Sequence, residues 1–220
     1  MRYRNSIALG LLALAALLGA GAGQVQAQTQ TQTQTQTQTF AALPAPTAAA
    51  APVGEARPII AWVAFCQAYA AECALDRNEP ARIALTAATW NTIVTINRRV
   101  NRSVRAMTDM EHHNVADRWD LAEDGIGDCE DFQLLKRHIL AEAGLPRRAM
   151  RMTVVIDEKG EGHAVLTLIT DRGDFVLDNK TSAVLPWHQT GYTFIKREGQ
   201  DSVAWVSLGG VTSPVTTANR

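Results

Sequence analysis

Cys129 stands at the head of the stretch GDCEDFQLLKRHIL, with Asp128 before it and Glu130 and Asp131 behind it. A thiolate is a strong nucleophile and a helix N-terminus favours it, yet three flanking carboxylates oppose further negative charge. Either the thiol is inert and the acids cap a helix, or something cationic completes a site. A nucleophile also needs a base, and the chain offers five histidines. His112 and His113 lie in an acidic stretch, and His188 sits in a connection just after Pro186. His138 shares the helix of Cys129, about 13 Å further along its axis. His163 opens a strand-like run directly after Gly162. Taken alone, it reads as a satisfied core or edge histidine.

Asp178 strengthens the case for His163. It ends the run FVLDN, a carboxylate within an apolar segment where an unpaired charge is costly. Cysteine at a helix start, histidine at a strand start and an acid ending the next strand match Cys–His–Asp logic. The acid orients the imidazole, which takes the thiol proton. Residues 163 and 178 have the parity to share a face. The DRGD turn, however, favours a register leaving them some four residues, roughly 13 Å, apart, so a bulge or longer loop is required.

These residues need elements to hold them. TAATWNTIVTINRRVNRSVRAM (86–107) places Trp90, Ile93, Val94, Asn97, Val100 or Asn101, and Val104 on one helical stripe. Its two asparagines either satisfy buried backbone or look into a cleft. Residues 108–127 are polar, acidic and aperiodic, which predicts a long loop. A second helix follows, with Cys129, Phe132, Leu135, Ile139, Leu140 and Ala143 on its apolar face, Asp128 as N-cap, and Gly144 and Pro146 as terminators. Runs at 151–157, 163–170 and 174–179 then have strand character, as do GYTFIKRE and SVAWVSL. Helices followed by an antiparallel sheet predict an α+β domain with the cysteine-bearing helix packed on the sheet.

The flanks set the compartment. Two arginines, a short apolar run and small residues at 25–27 predict a signal peptide over 1–27, cut after Ala27, with an uncleaved anchor as the alternative. No cysteine adjoins that site, which argues against a lipoprotein. The QT repeat (28–39) and the Ala/Pro-rich stretch after it predict a disordered linker over 28–57. The folded domain is then 58–208, with a polar tail at 209–220. The formal net charge of −1, with no basic stripe, gives nucleic-acid binding no support. Cys66 and Cys73 have a spacing compatible with a disulfide, leaving Cys129 as the odd thiol of an exported chain.

With FC…EC, WNTIVTINRRVN, GDCEDFQLLKRHIL…GLP, GHAVLTLITDRGDFVLDN and WVSL on the page, the chain resembles the bacterial transglutaminase-like cysteine proteinases, which include the LapG-type periplasmic proteases. The resemblance spans about residues 60 to 208. It implies a papain-like, transglutaminase-type fold, with Cys129 as nucleophile, His163 as general base and Asp178 as orienting acid. Trp119 becomes a candidate for lining the cleft or helping the oxyanion site. The resemblance further implies Ca²⁺, with Asp128, Glu130 and Asp131 as ligands, and hard oxygen donors suit that ion. It implies a monomeric periplasmic thiol protease acting on a protein substrate such as a large secreted adhesin, under an inner-membrane regulatory receptor. The alternatives are amidase or transglutaminase-type acyl transfer on the same fold, and a non-catalytic binding module.

Overall fold

The computed structural model describes residues 41–210. The predicted signal peptide, the QT repeat and residues 211–220 of the tail lie outside the described residues. A short strand β1 (Gly54–Ala56) is followed by two helices, α1 (Ile60–Ala68) and α2 (Ala70–Cys73). Then come α3 (Ala87–Ser103), β2 (Arg105–Ala106), the single-turn α4 (Asp109–His112) and β3 (Ile126–Gly127). The central helix α5 (Cys129–Glu142) leads into β4 (Met150–Ile156), β5 (Gly162–Thr170), β6 (Gly173–Leu177), β7 (Leu185–Pro186), β8 (Thr193–Glu198) and β9 (Trp205–Ser207). The main sheet has the order β1-β9-β8-β4-β5-β6-β7 and is antiparallel throughout. The chain is therefore α+β, with α5 packed against β5 and β4.

Alternation along the strands gives the sheet two faces. Met150, Met152, Val154, Leu166, Leu168, Phe175 and Leu177 share one core with Phe132, Leu134 and Leu140 of α5 and with Trp90 and Ile93 of α3. The other face carries a small cluster of Val155, Val165, Val176 and Phe194. Helix α3 begins as its sequence predicts, with the Thr86 hydroxyl accepting the Thr89 N–H at 3.1 Å. Helix α5 ends in paired Schellman bonds, Leu145 N–H to Leu140 O at 3.0 Å and Gly144 N–H to Ala141 O at 2.9 Å.

Three expectations are corrected. The buried side of α5 is wider than its apolar residues implied: Leu134, Gln133, Lys136 and Arg137 are buried, while Leu135 and Ile139 are half-buried. The helix is covered on several sides, so its polar residues must find partners inside. Arg137 does so with Glu198 at 2.8 Å, and Glu198 also accepts from the Trp62 indole at 2.6 Å and Met152 N–H at 2.8 Å. Burial would raise the Glu198 carboxyl, but Arg137 and Arg151 hold it below the usual range.

The segment 108–127 is not all loop. Thr108 and Glu111 form a capping box that starts α4, and β3 pairs in parallel with β2. The linker also stops short of residue 57. Thr47 N–H bonds Arg172 O at 2.7 Å, Ala50 N–H bonds Asp174 Oδ2 at 2.9 Å, and β1 pairs with β9. Gly173 is required beneath this arm, because a Cβ there would lie 2.3 Å from Thr47 O. The arm docks through its backbone, which composition does not report. Cys66 and Cys73 are disulfide-bonded with Cα atoms 5.5 Å apart, and Cys129 is free.

Candidate active site

Cys129 opens α5 and is fully buried. The approach to it is tight: a Cβ on Gly127 would lie 2.7 Å from the Asp131 side chain, so only glycine lets that carboxylate fold back. Asp131 Oδ2 thereby accepts the Asp128 N–H at 3.2 Å, and its Oδ1 accepts the Asp120 N–H at 2.8 Å. Asp128 is the N-cap residue, but its Oδ2 faces the Asp109 N–H at 3.4 Å. The Cys129 thiol donates to Glu130 Oε2 at 3.0 Å. Burial, the charges of Glu130 and Asp128 and that hydrogen bond all push the thiol pKa well up; a bond from the Ala164 N–H opposes them.

Ala164 follows His163 in β5, so packing of α5 on this strand brings the sulfur beside the histidine's backbone. His163 Nε2 and Asp178 Oδ1 are 2.8 Å apart, both buried. The register differs from the expected one, and no bulge is needed between β5 and β6. Thr170 pairs with Gly173 and Leu166 with Leu177, so the next step sets Asp178 opposite Val165. That is one diagonal from His163, a separation that long side chains bridge.

Two further residues hold Asp178. Tyr192 donates its hydroxyl to Asp178 Oδ2 at 2.6 Å and sets its ring edge-on to His163. Asn101 donates to the Asp178 carbonyl at 2.8 Å and to Thr181 O at 3.0 Å. Burial would raise the Asp178 carboxyl, but the bonds from His163, Tyr192 and the Lys180 N–H keep it low. Asn101 was visible in the sequence as a polar residue on an apolar stripe, and it satisfies backbone as one of the two readings proposed. Tyr192 gave no signal.

The other histidines are engaged elsewhere. His112 meets Asp124 at 2.8 Å, His113 meets Asp120 at 3.5 Å, His138 meets Glu72 at 2.7 Å and His188 meets Thr47 at 3.3 Å. Trp119 lines a surface cavity with Phe65, Tyr69, Asp117 and Asp120. It is buried edge-on to Trp205 and donates its indole N–H to Asp117 Oδ1 at 3.1 Å.

Around the thiol lies a cluster of acids larger than the sequence suggested. Asp128 and Glu130 lie with Cys129, Asp109 and Asp117 with Glu130, and Asp109 with Asp128 and Asp131; within each group one ligand atom per residue lies within 4.8 Å of the others. Burial pushes Asp128 up to about 7, aided by Asp109, and Asp131 up to about 9. Glu130 is pushed well above its usual value by burial and by Asp128 and Asp131. Asp128 Oδ1 and Glu130 Oε1 are buried without a hydrogen-bond donor. Hard carboxylate oxygens in this number, with two left over, fit a divalent cation of the Ca²⁺ kind.

The profile of the bacterial transglutaminase-like cysteine proteinases matches residues 53–213. Calcium-bound LapG of Legionella pneumophila is a remote structural likeness, with a TM-score of 0.47, 22% identity, and coverage of 56% of this chain and 71% of that one. EGTA-treated LapG from the same organism gives 0.46 and 23%, covering 53% and 66%. Among curated proteins none matches. On the family match over most of its length, the chain belongs to the bacterial transglutaminase-like cysteine proteinases and is a cysteine peptidase.

Proposed function

We propose that this peptidase works in the periplasm with Cys129 as nucleophile, His163 as general base and Asp178 as orienting acid, on a secreted protein such as a large surface adhesin. The observation that carries the reading is the buried His163–Asp178 bond at 2.8 Å, one residue along β5 from the N–H that holds the Cys129 sulfur. Asp178 accepts at Nε2, which leaves Nδ1 to receive the thiol proton. The thiolate then attacks the scissile carbonyl, and His163 returns the proton to the leaving amine. Water, deprotonated by the same imidazole, releases the acyl group from Cys129. The predicted signal peptide supports export, and the single disulfide suits an oxidising compartment.

In the same reading, Asp128, Glu130 and Asp131, joined by Asp109 and Asp117, hold Ca²⁺. The ion would supply positive charge to the carboxylates that otherwise hold the thiol protonated. The test is to incubate wild type and Cys129→Ala with proteins secreted by the source cells, with and without chelator, and to sequence new termini. New termini that require Cys129 and disappear in chelator are expected. Equal cleavage by Cys129→Ala would overturn the assignment.

A further inference from the structure

One ionisable side chain behind the site has no part in the chemistry above. Lys136 lies on α5, two turns beyond Cys129, and is fully buried. Its Nζ donates to Gln133 Oε1 at 3.2 Å, and Gln133, itself fully buried, donates through Nε2 to Asn179 Oδ1 at 3.4 Å. Asn179 adjoins Asp178. The same turn is held from α3, where Asn97 donates to Ser182 O at 3.2 Å and Asn101 to the Asp178 and Thr181 carbonyls. An amine without exposure costs stability, and a leucine or methionine would fill the space more cheaply. Burial lowers the Lys136 pKa to about 7, and the Asp178 carboxylate is the charge that opposes this.

We propose that Lys136 is a positioning residue for the peptidase reaction, fixing through Gln133 and Asn179 the turn that carries Asp178 and hence the orientation of the His163 imidazole. This rests on the reading of Cys129, His163 and Asp178 given above. Helix α5 then serves the site twice. Its first residue presents the sulfur, and its second turn braces the acid on the far side of the imidazole. A shift of the turn would rotate Asp178 away from Nε2, and misplacement on the ångström scale costs up to about a hundredfold in related settings.

The experiment compares wild type, His163→Ala, Lys136→Met, Lys136→Gln and Gln133→Leu in calcium-supplemented buffer at neutral pH. Two quantities are read: the second-order rate of iodoacetamide labelling at Cys129, followed by mass spectrometry, and the downfield proton resonance of the His163–Asp178 hydrogen bond. His163→Ala should abolish the rapid component of labelling. Lys136→Met and Gln133→Leu should slow it about tenfold and shift or broaden the proton resonance, while Lys136→Gln, which keeps an N–H donor, should recover part of the rate. A merely structural lysine would lower the melting temperature and leave both readouts unchanged in the folded fraction; that result overturns the proposal. If Lys136→Met does not fold, Gln133→Leu decides on the same readouts. Labelling as fast in His163→Ala as in wild type would instead overturn the assignment of the site, a result distinct from failure of the Lys136 variants alone.

Discussion

Two groups of buried carboxylates flank the Cys129–His163 pair, and they are built on opposite principles. Asp178 is fully provided for: His163 and the Lys180 N–H meet one oxygen, the Tyr192 hydroxyl meets the other, and its pKa is held low. Asp128 and Glu130 each keep an oxygen without a donor, and burial raises both, aided by Asp109 at Asp128 and by Asp128 and Asp131 at Glu130. Burial acts on all three. What differs is the supply of donors, and supply decides whether a carboxylate in a protein interior is a charge or an acid. The first group can work with the side chains around it. The second holds protons or, in the function proposed above, would take positive charge from a bound cation.

The largest expected effects test the first group. Cys129→Ala and His163→Ala should each remove peptidase activity almost completely, and Asp178→Asn should cost about 10⁴-fold, as an orienting acid does in related triads. Wild-type turnover in His163→Ala would move attention to His113 or His188. Next comes the second group. Stripping Ca²⁺ should abolish activity, and re-addition should restore it better than Mg²⁺, whose octahedral shell suits a flexible carboxylate cluster less well. Calorimetric titration of metal-stripped protein checks binding directly, and saturation to a hundred times the dissociation constant should add about 2.7 kcal/mol of stability. Full activity in chelator with no measurable binding would break the comparison.

Acidity sharpens it further. Asp128 has a folded pKa of about 7 and Asp131 one of about 9, both above the unfolded value, so the folded metal-free protein binds more protons than the unfolded chain. Their stabilisation is complete below the unfolded value of about 4 and is lost as pH rises through the folded ones. Asp178 has the opposite sign: its contribution is present above the unfolded value and is lost on acidification. Thermal melts of metal-free Asp128→Asn should therefore show a flatter decline between weakly acidic and alkaline pH than wild type. An unchanged slope would remove Asp128 from the account. The smallest effect belongs to Tyr192→Phe, which deletes one hydrogen bond to a charged acceptor worth about 1.5–3 kcal/mol. It should lower kcat more than it raises KM, and a change confined to KM would make Tyr192 a substrate contact instead.

How much of this was legible in advance depended on the range of the contact. The placement of Cys129, His163 and Asp178 at element boundaries could be read, because boundaries leave local signals. The α+β order and strands β4, β5, β6, β8 and β9 followed from β-rich runs bounded by turn residues. The spacing of His163 and Asp178 was misjudged because the two-residue turn at Asp171–Arg172 leaves them on adjacent diagonals, closer than a straight count along the ladder implied. Asp109 and Asp117 were invisible as partners of Glu130, since nothing local says where a loop returns. The T-x-x-E box at Thr108 did signal a helix start and was masked by the polarity around it. Burial of Lys136, Gln133 and Arg137 left no mark in the apolar spacing of α5, because the breadth of cover over the helix comes from elements distant in sequence.

The hydrogen bond from the Cys129 thiol to Glu130 has a consequence for the lifetime of the protein. In the oxidising compartment proposed above, a lone reactive sulfur beside the Cys66–Cys73 disulfide is prone to mixed disulfides and to sulfenic acid. Both routes begin from an accessible thiolate. Cys129 is protonated and shielded in this arrangement, so the acids that hinder attack on a substrate also hinder attack by oxidants. In the function proposed above, a cation bound by these acids would end that protection and free the sulfur for attack.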